Sequence, residues 1–287
     1  MSKVTVAAIQ MTYGLETAVQ KVEEAAAQGA QIILLPELFE NWYFCQEKNY
    51  ENYHLATTLD ENPAVNELKK IARDFRVVLP VSYYERVGNT TFNTVAVIDA
   101  DGSVLGQYRK THIPDDHFYQ EKFYFTPGDT GFRVWDTAYA RIGVGICWDQ
   151  WFPETARCLA LAGADVVLYP TAIGSEPILD VDSAGHWQRT MQGHAAANVI
   201  PVAAANRYGT EVVVPCRENG GQHSALRFYG TSFLTDETGA VVAQAGRDQD
   251  EVLTASYDFA AIRQARMEWG LFRDRRPACY GAICDLR

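Results

Sequence analysis

A cysteine follows a short apolar run in the middle of the chain. In GVGICWDQWFPE, residues 143–154, Cys147 ends a predicted strand and Pro153 begins a predicted helix. A tight strand-to-helix connection exposes the side chain at its tip and directs backbone N–H groups toward a bound group. Free cysteines are often buried and inert, so the residue type alone does not assign a role. The position favours a nucleophilic thiol.

Two ionisable residues come at the ends of other predicted strands. Glu37 follows LLP in the run QIILLPEL, where partial desolvation makes a carboxylate a usable base for a thiol. Lys110 ends YRK, and a lysine can supply positive charge to a developing oxyanion. Taken singly, each is more typical of a strand exit facing water. Because sites in α/β folds lie beyond the carboxyl ends of strands, we expect both to converge on Cys147.

A second acid lies in the irregular segment 111–131. Glu121 stands among aromatic residues in YQEKFYFTPG, and it is placed either to join the site or to pair with Lys122 or Arg109. Its residue type and setting leave these alternatives open.

Metal and cofactor motifs are not found in the sequence. His112 and His117 flank two aspartates but have no ligand-like spacing to cysteines, and CYGAIC at 279–284 lacks a second pair for structural zinc. GVGIC lacks the dinucleotide fingerprint. We therefore expect neither a metal nor an organic cofactor. A papain-like cysteine–histidine pair remains an alternative by residue inventory, although the local cysteine signature differs.

The elements that must position these residues alternate between strands and amphipathic helices. Helices are predicted at 15–29, 63–75, 153–163, 185–199 and 259–269. Strands are predicted at 4–11, 31–38, 77–86, 92–100, 103–110, 141–147, 165–172, 200–207 and 251–258, with a hairpin across 230–246. No linker divides the chain, which predicts a single α/β domain over residues 1–287 with mixed sheets covered by helices.

Composition limits the partners and the compartment. Lysine and arginine total 25 against 36 acidic residues, and the net charge of −11 argues against binding to nucleic acid or to an anionic membrane. No apolar run approaches the ~20 residues of a membrane span, and the N-terminus lacks the pattern of a secretory signal. The six scattered cysteines suggest reduced thiols. A soluble, cytoplasmic protein is expected.

Three motifs in order resemble the nitrilase, or carbon–nitrogen hydrolase, superfamily. They are PEL at 36–38, YRKTHIP at 108–114 and GICWDQWFPE at 145–154. The resemblance covers almost the whole chain and implies a four-layer α-β-β-α sandwich with a Glu–Lys–Cys triad. The resemblance implies that Glu37 is the base, Cys147 the nucleophile and Glu121 an assisting acid. It also implies that the Lys110 ammonium and the backbone N–H of Trp148 bind the oxyanion.

Further segments are similar to one group within that superfamily. They are FENWYFCQ at 39–46, YPTAIGSEP at 169–177, HWQRTMQGHAAANVIPV at 186–202 and AANRYG at 204–209. That group hydrolyses N-carbamoylputrescine to putrescine, carbon dioxide and ammonia in polyamine biosynthesis. A substrate with a four-carbon chain and an ammonium requires an apolar channel ending in an acid. The candidate channel residues are Trp42, Tyr43, Asp116, Trp148, Asp149, Glu176, Asp180, Asp182 and His186.

Two other functions remain alternatives. An amidase of the superfamily that acts on an ω-amide or a β-ureido acid would need an arginine or lysine at the end of its channel. A non-catalytic binding or scaffold protein could retain the fold, although the intact set of catalytic residues argues against it. The resemblance also implies a homo-oligomer.

Overall fold

Strands form the centre of the molecule, which the computed structural model describes over residues 3–175 and 181–286. In chain order they are β1 Val4–Gln10, β2 Ile32–Leu34, β3 Leu79–Val87, β4 Thr90–Ile98, β5 Val104–Arg109, β6 Val134–Asp136, β7 Arg141–Val144, β8 Val166–Pro170, β9 Val202–Ala205, β10 Tyr208–Val213, β11 Ser224–Tyr229, β12 Phe233–Thr235, β13 Val241–Gln244 and β14 Glu251–Tyr257.

The α-helices lie close to the bounds that apolar spacing predicts. They are α1 Leu15–Ala27, α2 Pro63–Phe75, α3 Pro153–Leu161, α4 Ala184–Asn198 and α5 Phe259–Trp269. Proline begins α2 and α3, where its missing N–H costs nothing. The Asn62 side chain accepts a hydrogen bond from the Val65 N–H at 2.8 Å and so caps α2.

The first sheet has the order β14-β1-β2, with β1 antiparallel to β14 and parallel to β2. The antiparallel meander β3-β4-β5 continues it, because Ile32 forms a parallel bridge with Val78 directly before β3. The hairpin between β4 and β5 turns at Gly102, whose φ of 83° suits glycine.

The second sheet has the order β13-β12-β9-β8-β7-β6. Its inner pairs β7–β8 and β8–β9 are parallel, and β6 and β12 are antiparallel to their neighbours. The expected mixed sheets are therefore present. The parallel strands bury both faces, as their continuous apolar runs predict.

Three apolar clusters define the layers. Between the sheets, Val6 and Val97 of the first sheet share a cluster with Ile142 and Leu168 of the second. The outer face of the first sheet packs on α1 and α2, and that of the second packs on α3 and α4. The order of layers is α-β-β-α, which confirms the predicted sandwich.

Several elements differ from the sequence prediction. The strands expected at 31–38 and 141–147 end earlier, at Leu34 and Val144. Strand β6 and the hairpin of β10 and β11 were not predicted. The hairpin is partly exposed, so its burial pattern lacks a continuous apolar run. None of the helices in the described ranges is long and apolar enough to cross a membrane.

Candidate active site

The ends of three strands bring the predicted catalytic residues together. Glu37 lies three residues after β2, Lys110 directly follows β5, and Cys147 lies three residues after β7. Cys147 begins a short 3-10 turn, Cys147–Trp151, that leads into α3. Its φ of 41° lies in the left-handed region, where residues other than glycine are strained. The expected strand-to-helix elbow is present, but the Cys147 side chain is buried and not exposed, because it packs into the apolar layer between the sheets.

Lys110 joins two carboxylates in the centre of the site. Its Nζ donates to Glu37 Oε1 at 2.8 Å and to Glu121 Oε2 at 2.5 Å, and all three side chains are fully buried. Asn93 Nδ2 donates to Glu37 Oε1 at 2.7 Å, and the Tyr43 hydroxyl donates to Glu121 Oε1 at 2.8 Å. Glu37 Oε2 has no hydrogen-bond partner among the described residues. That oxygen is free to accept a proton.

Burial and charge oppose each other in this cluster. Burial acts to lower the pKa of Lys110, but the charges of Glu121 and Glu37 outweigh it and hold that pKa well above its ordinary value. Burial raises the pKa of Glu121 to about 7, and the charge of Glu37 adds to this effect while Lys110 opposes it. The lysine therefore stays charged, and Glu121 takes up a proton near neutral pH.

The Cys147 thiol is 5% exposed and lies against the same charges. Burial raises its pKa well above the ordinary value, the charge of Glu37 raises it further, and Lys110 lowers it. Its Sγ approaches the carbonyl of Ala172 at 3.9 Å. In the resting site the sulfur is a neutral thiol, so a nucleophilic reaction needs a base such as Glu37.

Asp149 differs from its predicted role. It is fully buried, and both of its carboxylate oxygens are occupied by Ile146, Tyr108 and His112. The structure thus corrects the expectation that Asp149 binds the substrate's ammonium. Sequence alone did not distinguish a buried, saturated aspartate from a channel acid.

Tyr43 and the tryptophans occupy different environments. Tyr43 is buried and its hydroxyl contacts Glu121, so its polar atom serves the assisting acid. Trp42 and Trp148 are 39% and 38% exposed, and the Trp148 ring packs edge-on against Trp151. The backbone of Trp148 directly follows Cys147, as an oxyanion donor requires.

The remaining channel candidates lie at the surface or outside the described residues. Asp116 is exposed and contacts His117, and the exposed Asp182 pairs with Arg247 at 2.8 Å. His186 is exposed and its ring packs on Trp151. Glu176 and Asp180 lie outside the described residues. Of the described candidate acids, neither Asp116 nor Asp182 contacts Cys147, because each lies at the surface and pairs with another residue.

Arg207 supports the site, although the sequence does not predict a role for it. It is fully buried and donates to the backbone carbonyls of Glu37, Leu38 and Asn41, and it pairs with Glu211 at 3.1 Å. Glu211 also accepts from the backbone N–H of Tyr43. This arginine therefore fixes the loop that carries Glu37. The feature of the sequence that could have pointed to Arg207 is its position as a positively charged residue soon after the buried apolar strand β9.

No group of three or more His, Cys, Asp or Glu side chains in the part of the chain that the structure describes is arranged to hold a metal ion. The chemical capacity of the site lies in a thiol, a free carboxylate oxygen and a buried ammonium. Such a set suits attack on a carbonyl carbon with acid–base assistance.

This fold and this set of residues are those of an enzyme that hydrolyses carbon–nitrogen bonds. A family model described as carbon-nitrogen hydrolase matches residues 5–267, and the chain belongs to that family, within the nitrilase superfamily. A citrullinase from Francisella tularensis subsp. tularensis is 52% identical over 99% of each chain. An N-carbamoylputrescine amidase from Solanum tuberosum is 50% identical over 99% of this chain and 95% of its own.

A solved structure supports the same assignment. The crystal structure of a carbon-nitrogen hydrolase from Helicobacter pylori G27 superposes with a TM-score of 0.90 at 34% identity and covers 99% of both chains. The structural similarity therefore extends over nearly the whole chain.

Proposed function

We propose that this enzyme hydrolyses N-carbamoylputrescine to putrescine, carbon dioxide and ammonia by a thiol mechanism, as a step in polyamine biosynthesis. The observation that carries the mechanism is the buried Lys110, which binds both Glu37 and Glu121 beside an elbow cysteine. The observation that favours the substrate is the group of relatives, 48–50% identical, named N-carbamoylputrescine amidase.

In the first half-reaction, Glu37 takes the proton of the Cys147 thiol through its free Oε2. The sulfur then attacks the carbamoyl carbon, and the carbonyl electrons move onto oxygen. Lys110 and the backbone N–H of Trp148 stabilise that oxyanion, with each donor contributing about 3–4 kcal/mol. Collapse of the tetrahedral species breaks one C–N bond, and Glu37 gives its proton to the departing nitrogen.

In the second half-reaction, Glu37 takes a proton from water, and the resulting hydroxide attacks the thioester carbon. The C–S bond breaks, and the thiol regains its proton. The carbamic acid released loses carbon dioxide. Glu121 holds Lys110 in place and assists through its own contact with Tyr43. No metal or organic cofactor takes part.

Citrulline is the second candidate substrate, because a 52% identical relative is named citrullinase. Citrulline and N-carbamoylputrescine share a ureido group on a short aliphatic chain with an ammonium. They differ in one carboxylate at the far end. A channel that ends only in acids repels that carboxylate, whereas a citrulline channel needs a cation there.

Ammonia release tests the proposal directly. The panel is N-carbamoylputrescine, citrulline, N-carbamoyl-β-alanine and an ω-amide of the glutamine type, with Cys147→Ala as the blank. We expect kcat/KM for N-carbamoylputrescine to exceed that for each carboxylate substrate by about 100-fold, as one unpaired buried charge would cause. Preference for citrulline would replace the substrate and keep the thiol mechanism. Inactivity on the whole panel would contradict the proposed function.

We also propose that the enzyme is a homo-oligomer in the cytoplasm. An apolar groove of about 850 Å³ lies between α3, α4 and the C-terminal segment and is lined by Leu161, Ala197, Leu271 and Ile283. Leu161 and Ile283 are 46% and 65% exposed, and a second copy of the chain would cover them. The free cysteines agree with a reducing compartment.

Light scattering after size-exclusion chromatography tests the assembly. The wild type is expected to elute as a dimer or larger species, and Leu161→Glu to shift it toward the monomer. The control is Val242→Glu, at an exposed position on β13 that should leave the mass unchanged. A monomeric wild type at micromolar concentration would contradict the assembly and leave the catalytic proposal untouched.

A further inference from the structure

Asp149 connects the segment that carries Lys110 to the segment that carries Cys147. Its Oδ2 accepts from the backbone N–H of Ile146 at 2.9 Å and from the Tyr108 hydroxyl at 2.7 Å. Its Oδ1 accepts from the backbone N–H of His112 at 3.0 Å and contacts His112 Nδ1 at 2.7 Å. A buried carboxylate needs such donors to offset its lost hydration.

The residues that bind Asp149 lie close in sequence to Lys110 and Cys147. Tyr108 and His112 stand two residues before and two residues after Lys110. Ile146 directly precedes Cys147, and Asp149 follows it by two residues. One carboxylate thus holds both sides of the lysine and both sides of the nucleophile.

The cysteine needs such support because its backbone is strained. Its φ of 41° is unfavourable for a residue with a Cβ, and it persists only where the surroundings hold it. The hydrogen bond from the Ile146 N–H fixes the peptide between Gly145 and Ile146, one peptide unit before the one that enters the strained residue. Misplacement of reacting groups by about 1 Å costs about 100-fold in rate.

We propose that Asp149 is a positioning residue that sets the separation between Lys110 and Cys147, and that His112 orients Asp149. The inference rests on the proposed thiol mechanism but not on the identity of the substrate. It replaces the role in substrate binding that the sequence suggested for Asp149.

The surroundings of His112 fix the plane of its ring. The ring stacks on Phe152 with centroids 3.7 Å apart and planes 6° apart, and the side chain is 27% exposed. Phe152 lies between the 3-10 turn of the elbow and α3. The stack therefore ties the histidine to the same elbow and aims Nδ1 at Asp149.

The first test compares two buried aspartates. Asp149→Asn keeps the shape of the side chain but replaces an acceptor facing the Ile146 N–H or Tyr108 hydroxyl with a donor. We expect kcat to fall about 100-fold while KM changes by less than about 3-fold. Asp165→Asn is the matched control, because Asp165 is 1% exposed and accepts from Arg141 and Arg263 at the opposite end of β8. Its kcat is expected to stay within about 2-fold of the wild type.

The second test separates hydrogen bonding from stacking at His112. Asn places an amide nitrogen at the position of Nδ1, whereas Phe keeps the stack on Phe152 and cannot donate. We expect kcat in the order wild type, His112→Asn, His112→Phe, with the last about 10-fold below the second. A structural role through stacking would give the reverse order of the two variants. That order, or an Asp149→Asn variant as active as Asp165→Asn, would overturn the proposal.

Alkylation of Cys147 by iodoacetamide gives a readout that needs no substrate. The charge of Lys110 favours the reactive thiolate. Variants that weaken the hydrogen bonds of Asp149 should therefore be alkylated more slowly, in the same order as their kcat values fall. If the wild type proves inactive on every amide tested, the proposed function fails. The alkylation order still supports or contradicts the positioning role, so the two failures are distinguishable.

Discussion

At the scale of single residues, the site depends on one ammonium that serves two carboxylates. Lys110, Glu37 and Glu121 are all fully buried. Removing the lysine would leave two carboxylates in the interior without their shared cation, at a cost of about 3–5 kcal/mol. Lys110→Ala is therefore expected to lose stability together with turnover. The thiol offers a cleaner test of mechanism, because its removal leaves no unpaired charge.

Cys147→Ala is expected to abolish turnover and to keep the unfolding midpoint close to that of the wild type. The thiol is the nucleophile in the proposed mechanism, and Ala removes only the sulfur. Ammonia release and thermal unfolding measured by circular dichroism check both parts. Cys158→Ala, at an exposed cysteine on α3, is the control and should remain fully active. Residual turnover by Cys147→Ala at the wild-type rate would exclude the triad.

The acidic limb of the pH–rate profile should report the protonation of Glu121. Burial raises the pKa of Glu121 to about 7, so activity is expected to fall as the pH drops through about 7, when this carboxylate takes up a proton. Glu121→Gln removes one of the two acids that share Lys110, and the limb should then move to lower pH. The measurement is kcat/KM across the pH range. If the acidic limb of Glu121→Gln falls at the same pH as that of the wild type, a group other than Glu121 titrates there.

At the scale of elements, three strand ends each lead to one reactive group, and the starts of α2, α3 and α5 are secured by local residues. Pro153 begins α3 directly after the elbow, so the helix fixes the direction in which the chain leaves Cys147. Asp258 caps α5, because its side chain accepts from the Ala261 N–H at 3.0 Å. These caps are local features that a short stretch of sequence determines.

Asp258→Ala is expected to destabilise the protein by about 1 kcal/mol through loss of the cap of α5. Asp258→Asn retains an oxygen acceptor at the same place and should lose much less. Urea unfolding of the two variants beside the wild type checks this difference. Activity should be unchanged in both, since α5 lies away from the catalytic residues. Equal losses in the two variants would show that the charge, not the cap, matters.

At the scale of the whole molecule, the two sheets share one apolar layer. Ile142 of β7 and Val97 of β4 belong to the same buried cluster. If one sheet unfolded alone, the apolar inner face of the other sheet would be exposed to water. We therefore expect the sheets to unfold together, which agrees with the predicted single domain over residues 1–287.

Ile142→Ala is expected to cost about 2–5 kcal/mol, because the cavity opens in the layer that both sheets share. The whole transition should shift as one, with coincident midpoints by far-UV circular dichroism and tryptophan fluorescence. Val242→Ala, on the half-exposed β13, should change the unfolding free energy by less than about 0.5 kcal/mol. Separate transitions for the two probes would contradict a single cooperative domain.

Much of this architecture follows from local patterns in the sequence. Helices α2 and α5 have the bounds that apolar spacing predicts. The strand ends that carry Glu37, Lys110 and Cys147 were visible as apolar runs followed by a polar residue. The three motifs in order then implied the sandwich, and the layers confirm it.

Only the tertiary structure shows which groups each buried carboxylate contacts. By sequence, Asp149 resembled a channel acid, whereas its oxygens are filled by donors from residues about 40 positions away, Tyr108 and His112. The role of Arg207 could not be assigned from the sequence, because the carbonyls that it binds lie about 170 residues earlier in the chain. Sequence determines which side chains are available and which local turns expose them. Hydrogen-bond saturation depends on groups that only folding brings together, and it determines whether a buried charge binds substrate or holds the site in place.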